Sequence, residues 1–169
     1  NRLLQVAIVP SFGLGNAAGT LVGQNLGARK AERAERSAWW TSAYAAAYMA
    51  IVATFLFAFA RPLIGLFDPT PQVVAIGAEC LRVVTPALIP AIVGVVLAGG
   101  FEGAGDTVPA MVINLLTLWG IEVAFAYGLA QRLGLGVTGI WWSRASANVA
   151  NGVLFTFWFR LGRWKRREV

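Results

Sequence analysis

The sequence predicts an all-α polytopic membrane protein with about five transmembrane helices. Of its 169 residues 57% are hydrophobic, only 13% are charged, and the apolar residues fall into five long stretches. A bilayer core of roughly 30 Å needs about 20 apolar residues as helix, and lipid offers the backbone no other hydrogen-bond partner. The predicted spans are residues 3–26, 37–60, 73–100, 108–131 and 139–159.

The charged residues predict how the chain crosses the membrane. The net charge is +6, and most Lys and Arg residues lie in the loop 27–36 and the tail 160–169. If the spans alternate, these two segments lie on the same side, and the positive-inside rule places them in the cytoplasm of a plasma (inner) membrane. Basic residues between and after apolar spans indicate a lipid bilayer as partner, so we expect no nucleic-acid binding.

No side-chain set for enzyme chemistry is visible. The chain has no His and one cysteine, Cys80, which excludes Ser–His–Asp and Cys–His sets, a His-based metal site and an intrachain disulfide. We therefore expect no enzyme activity, no metal site and no cofactor. The chain starts with Asn1, inside its first predicted helix, and we expect it to be a piece of a longer protein.

The first span carries small and polar residues at helical spacing. A glycine at every fourth position forms a stripe that lets another helix approach closely. Three polar residues at the same spacing run beside it, either as interhelical hydrogen-bond partners or as one wall of a polar pathway. Pro10 is expected to kink the outer half of the helix. The glycines are Gly15, Gly19, Gly23 and Gly27, and the polar residues are Asn16, Thr20 and Gln24.

Two prolines, Pro86 and Pro90, interrupt the third span. Each removes a backbone donor, which membrane helices tolerate where neighbours or water supply partners. Interrupted spans often mark substrate pathways or moving elements in transporters, so a hinge and a merely bent packing helix are both open.

The last two spans contain the ionisable residues that are most costly in a membrane, Glu122 and Arg144. The spans form an antiparallel hairpin, so the Arg144 side chain can reach Glu122 or extend outward. A structural pair and an ion or substrate role for Glu122 are both open. Four uncharged polar residues share these helices and complete the candidate pathway: Asn114, Thr117, Asn148 and Asn151.

Two motifs resemble those of the MATE family, the multidrug and toxic compound extrusion transporters. The first is Pro10-x-x-Gly13 leading into AGTLVGQNLGA at 18–28, at a helix end before a basic loop. The second is GFEGAGDT at 100–107, similar to the family's glycine-rich turn before its penultimate helix. The resemblance implies about twelve helices in two pseudo-symmetric lobes, with this chain supplying most of the C-terminal lobe and the N-terminal lobe missing.

The resemblance also implies a function. Family members expel small organic cations or amphipathic compounds in exchange for Na⁺ or H⁺. Many members place a carboxylate midway along the third helix, whereas this chain has ALIPAI at 87–92, and Glu102 stands where a basic residue is common. The coupling carboxylate is then expected either in the missing lobe or at Glu122.

Two other functions are compatible with the sequence. A lipid-linked oligosaccharide flippase of the same superfamily would need cationic residues to meet phosphates, and Arg144 alone is thin support. A non-transporting membrane scaffold would leave the polar residues of the last two spans without a role.

Overall fold

A computed structural model describes residues 2–166, and these residues form five antiparallel helical passes joined by short connections. The passes are α1 (Arg2–Gly27), α2 (Ala31–Ala58), the pair α4 (Pro71–Val84) and α5 (Leu88–Gly103), a fourth pass from Thr107 to Arg132, and α8 (Gly136–Arg160). A short helix, α3 (Ala60–Gly65), follows α2. No strand occurs within residues 2–166.

Four of these passes are long and apolar enough to cross a membrane: Leu4–Gly27, Ala31–Ala58, Pro71–Gly103 and Thr107–Arg132. The fifth predicted span is also a long helix, α8, but it falls outside this set. Its sequence carries Arg144 and two asparagines, which face the other helices rather than lipid and lower its hydropathy. The chain is thus an all-helical, multi-pass membrane protein.

The second helix begins earlier than the sequence indicates. The loop predicted at 27–36 is reduced to three residues, and α2 starts at Ala31 rather than at residue 37. Hydropathy detects only the apolar part of a helix, whereas Ala, Glu and Arg are good helix formers and extend it beyond the bilayer. Glu35 on this extension pairs with Lys165, at 2.6 Å between Oε2 and Nζ.

The third pass is interrupted where the prolines occur. A 3₁₀ turn, Thr85–Ala87, separates α4 from α5 and contains Pro86. Pro90 is the third residue of α5, where a backbone N–H has no partner within the helix, so its missing donor costs little. The buried Thr85 hydroxyl donates to the Leu81 carbonyl at 2.7 Å. By contrast α1 runs as helix through Pro10, and the kink predicted there stays a prediction.

The fourth pass departs from a regular α-helix. It consists of α6 (Thr107–Leu115), a π-helical stretch (Leu116–Val123), α7 (Ala124–Tyr127) and a second π-helical turn (Gly128–Arg132). Wide turns of this kind are rare and recur at functional sites. Thr117 and Glu122, two of the predicted pathway residues, both lie on the first π-helical stretch.

Helix α5 is the centre of the bundle because glycines bring both neighbours against its backbone. Toward α1, a Cβ added at Gly19 would lie 2.8 Å from the Gly99 carbonyl oxygen, and one at Gly103 would meet the Gly19 carbonyl. Toward α8, a Cβ at Gly152 would meet the Pro90 carbonyl. No side chain fits at these positions, so helix backbones are in direct contact on two sides of α5.

We call the end of the bundle that holds 28–30, 104–106 and the C-terminal residues the basic end, and the opposite end the far end. The predicted basic tail at 160–169 is partly folded at the basic end. Trp164, in a 3₁₀ turn (Arg163–Arg166), is fully buried, stacks on Phe159 and donates its indole N–H to the Phe159 carbonyl at 3.0 Å. Arg167 and the residues after it lie outside the described part.

The connection at the far end holds a titratable group outside the spans. Asp68 lies between α3 and α4 and accepts a hydrogen bond from the Thr70 backbone N–H at 2.9 Å. Hydrogen bonds from the Thr70 side chain, and then from its backbone, hold the pKa of Asp68 below its usual range. Asp68 therefore stays charged at neutral pH. It lies outside the cavities that the polar residues of the helices line.

Candidate functional site

Two neighbouring cavities open between α1, α5, the fourth pass and α8. The first has a volume of about 230 Å³ and the second about 220 Å³. Phe12, Val95, Asn114 and Asn151 line both, so the two cavities adjoin and form one groove along the helices, in which polar side chains are set among apolar ones. We call the first the outer cavity, because it reaches toward the far end, and the second the inner cavity.

The outer cavity contains the pair of charged residues predicted from the sequence. Nη1 of Arg144 donates to Oε1 and Oε2 of Glu122 at 2.9 and 3.0 Å. The Glu122 side chain is 24% exposed and that of Arg144 is 51% exposed. Glu122 lies ten residues before the end of its pass at Arg132, so the pair sits well away from the far end of the bundle. The contact neutralises both charges without sealing either from the cavity.

Amide and hydroxyl groups connect the two cavities. Nδ2 of Asn151 donates to Oδ1 of Asn114 at 3.0 Å and to Oγ1 of Thr117 at 3.1 Å. The Thr117 hydroxyl in turn donates to the Ile113 carbonyl at 2.9 Å. The network ties α8 to the fourth pass where the two cavities adjoin, since Asn114 and Asn151 line both.

Asn148 lies one turn from Arg144 on α8 and lines the same outer cavity. Its Nδ2 is buried and has no hydrogen-bond partner within the described residues. A buried donor without a partner costs roughly 1–3 kcal/mol, so such groups in native proteins call for an explanation. The residue that carries this donor lines the same cavity as the charged pair, and the donor itself is buried beneath the cavity surface.

The inner cavity brings together Asn16 of α1 and Glu102 of α5. The close glycine crossing explains their meeting, because Gly19 contacts Gly103, the residue that follows Glu102. Glu102 is exposed, and it has no ion pair within the described residues. This end of the groove therefore carries an uncompensated negative charge near the basic end of the bundle.

The structure does not gather every predicted residue into the groove. Thr20 donates to the Asn16 carbonyl at 3.0 Å, and both Thr20 and Gln24 lie outside the linings of the two cavities. Gly15, Gly19 and Gly23 face α5, whereas a Cβ at Gly27 would meet no atom within 4 Å. Pro86 borders a separate apolar groove between α4 and α8, and the hinge roles of the prolines stay predictions.

Sequence reasoning missed two parts of this site. From the sequence, Glu102 stands out only because the family commonly has a basic residue at its position. The position of a residue along its helix does not show which other helix its side chain faces, so its place in the groove could not be predicted. The glycines of α5 that receive α1, Gly99 and Gly103, were also missed, although their four-residue spacing is itself a signal for close packing. Searching for a second small-residue stripe would have paired the two helices.

Comparison with known proteins identifies the chain's relatives. The MatE family model matches residues 1–128. The chain is 25% identical to the probable multidrug resistance protein NorM of Thermotoga maritima, over 97% of this chain and 35% of that protein. It is 30% identical to the uncharacterized transporter YisQ of Bacillus subtilis, over 92% of this chain and 34% of that protein.

Solved structures share the fold. The chain superimposes on the MATE transporter ClbM, solved in complex with Rb⁺, with a TM-score of 0.91 at 23% identity, covering 99% of this chain and 40% of that one. The chain spans about a third of the length of the curated relatives that it matches.

Proposed function

The chain belongs to the MatE family, and from this membership we propose that it forms most of the C-terminal lobe of a two-lobed antiporter. Members of this family are transporters, not enzymes. The whole protein would export cationic or amphipathic compounds in exchange for Na⁺ or H⁺, by alternating access of two lobes around a site near the membrane midplane. Of the three proteins above, NorM is named for multidrug resistance, and YisQ and ClbM are named as transporters, which supports the proposal.

One observation carries the proposal: a carboxylate, Glu122, lines a cavity of about 230 Å³ in the bundle and is held by Arg144 at 2.9 Å. A carboxylate in such a place can bind an organic cation, Na⁺ or H⁺, but not all of them at once. Competition for one negative group is sufficient to couple an outward cation movement to an inward one. The amide oxygen of Asn114, which lines both cavities and accepts one hydrogen bond from Asn151, would add a neutral ligand of the kind that hard cations prefer.

The ion is proposed as Na⁺ or H⁺. ClbM was solved with Rb⁺, which supports a monovalent cation in a protein of this fold. In the described part of this chain, no three His, Cys, Asp or Glu side chains cluster as metal ligands.

The direction of export follows from the proposed topology. We place the basic end in the cytoplasm by the positive-inside rule. Glu102, unpaired in the inner cavity, would then attract cations from the cytoplasm and pass them to the groove. A flippase is less well supported, since Arg144, the one cationic side chain lining either cavity, is already paired with Glu122.

The test is gradient-driven transport by the complete protein in proteoliposomes. With a fluorescent organic cation loaded on the basic-end side, we expect export only when a Na⁺ or H⁺ gradient of opposite direction is imposed. Collapse of that gradient with the matching ionophore should stop export, and the other ion should have no effect. A complete, folded protein that moves no cation under either gradient would leave the scaffold as the better account.

A further inference from the structure

Arg144 has hydrogen-bonding capacity that the fold does not use. Only its Nη1 is engaged, by the two oxygens of Glu122. Within the described residues, Nε and Nη2 have no partner, and half of the side chain is exposed where it borders the outer cavity. The guanidinium therefore presents a second edge, and such an edge binds a carboxylate through two parallel hydrogen bonds.

Asn148 adds a donor beside that edge. It is four residues after Arg144 on α8, so the two side chains share a face of the helix. Its Nδ2 is buried in the lining of the same cavity and is unpartnered. Two adjacent side chains at one cavity thus hold donors, Nε and Nη2 of Arg144 and Nδ2 of Asn148, that have no acceptor within the described residues.

The acceptors around the outer cavity are largely occupied. Oδ1 of Asn114 and Oγ1 of Thr117 accept from Asn151, and both oxygens of Glu122 accept from Arg144. The carboxylate of Glu122 still has lone pairs for one more donor, such as a substrate ammonium group. The free N–H groups of Arg144 and Asn148, by contrast, need a hydrogen-bond acceptor. A negatively charged acceptor would bind both side chains.

We propose that Arg144 and Asn148 form a subsite for a carboxylate group of the substrate, while Glu122 receives its cationic group. This rests on the proposed function, because it takes the outer cavity as the substrate site. The protein then favours zwitterionic compounds over simple cations of the same size. Binding a zwitterion neutralises Arg144 from outside, which weakens its hold on Glu122 and frees that carboxylate for the substrate's own cation.

Equilibrium binding to the purified complete transporter tests the subsite without any ion gradient. The probes are a rhodamine dye with a free carboxyl group and its methyl ester, in which one added methyl group removes the negative charge. We expect the wild type to bind the acid about tenfold more tightly, a difference of about 1.4 kcal/mol. Arg144→Gln should abolish this preference by weakening acid binding, while the ester binds at least as well because Glu122 is released.

Two further variants complete the design. Asn148→Asp is nearly isosteric and replaces the unpartnered donor with a negative charge, so it should reverse the preference in favour of the ester. Arg132→Gln removes an exposed arginine at the far end that lines neither cavity and should keep the wild-type preference. Retained binding of the ester by each variant shows that it is folded.

Different results would separate the two proposals. Equal affinity for acid and ester in the wild type, or an unchanged preference for the acid in Arg144→Gln, would overturn the subsite and leave cation transport intact. A wild type that binds neither dye would overturn the outer cavity as the substrate site, and the subsite with it.

Discussion

Gly19→Leu is expected to lower the yield of folded protein to a small fraction of the wild-type yield. A Cβ at this position would lie 2.8 Å from the Gly99 carbonyl oxygen, and Leu adds three further carbons beyond it. The obstructing atom belongs to a helix backbone, so it cannot rotate away like a side chain. The helices must separate, and we expect a loss of roughly 3 kcal/mol or more, at the upper end of what overpacking costs.

Folded yield measures this effect directly, as the monodisperse fraction in detergent together with its melting temperature. Gly13→Leu is the matched control, because Gly13 lies on the same helix and a Cβ there would meet no atom within 4 Å. Its yield should be close to that of the wild type. If the two variants give the same yield and melting temperature, α1 and α5 do not cross at their glycines.

Glu122→Gln is expected to lower efflux by the complete transporter at least about tenfold, which corresponds to a loss of roughly 1.4 kcal/mol of cation stabilisation. The substitution keeps the shape of the side chain and removes the negative charge. The cavity then carries the unpaired positive charge of Arg144, which is half exposed and repels cations. Membrane abundance should be unchanged, because a partly exposed ion pair contributes little to stability.

The measurement is resistance to an organic cation in cells that lack other exporters, with abundance read from membranes of the same cells. Glu79→Gln serves as control, since Glu79 is an exposed carboxylate on α4 outside both polar cavities. It should leave resistance unaltered. Normal resistance from Glu122→Gln at normal abundance would remove Glu122 from the site.

Much of the fold could be predicted because the bilayer restricts what a chain can do. Apolar stretches of about 20 residues are sufficient to identify helices, and polar residues within them indicate which helix faces another. The first π-helical stretch could not be predicted, because no local pattern distinguishes Leu116–Val123 from an α-helix. The burial of Trp164 was also missed, since it depends on Phe159 and on tertiary packing at the basic end.

Some residues of the candidate site could likewise be predicted from the sequence, and others could not. The hairpin of the last two passes places Glu122 and Arg144 at similar depths, so their proximity could be anticipated from spacing alone. The role of Glu102 could not, because its place in the inner cavity depends on the crossing of α1 and α5. Pairing of distant helices is decided by packing, and a helix's own residues do not say which other helix it contacts.

Competition for Glu122 is the central claim, and equilibrium binding of an organic cation tests it most directly. The dissociation constant is measured on the purified complete transporter against Na⁺ concentration at fixed pH, and against pH without Na⁺. We expect the dissociation constant of the organic cation to rise with the concentration of one of the two ions, in direct proportion once that ion saturates Glu122. Glu122→Gln should eliminate this dependence. A dissociation constant that is independent of both ions, or competition that persists unchanged in Glu122→Gln, would contradict the account.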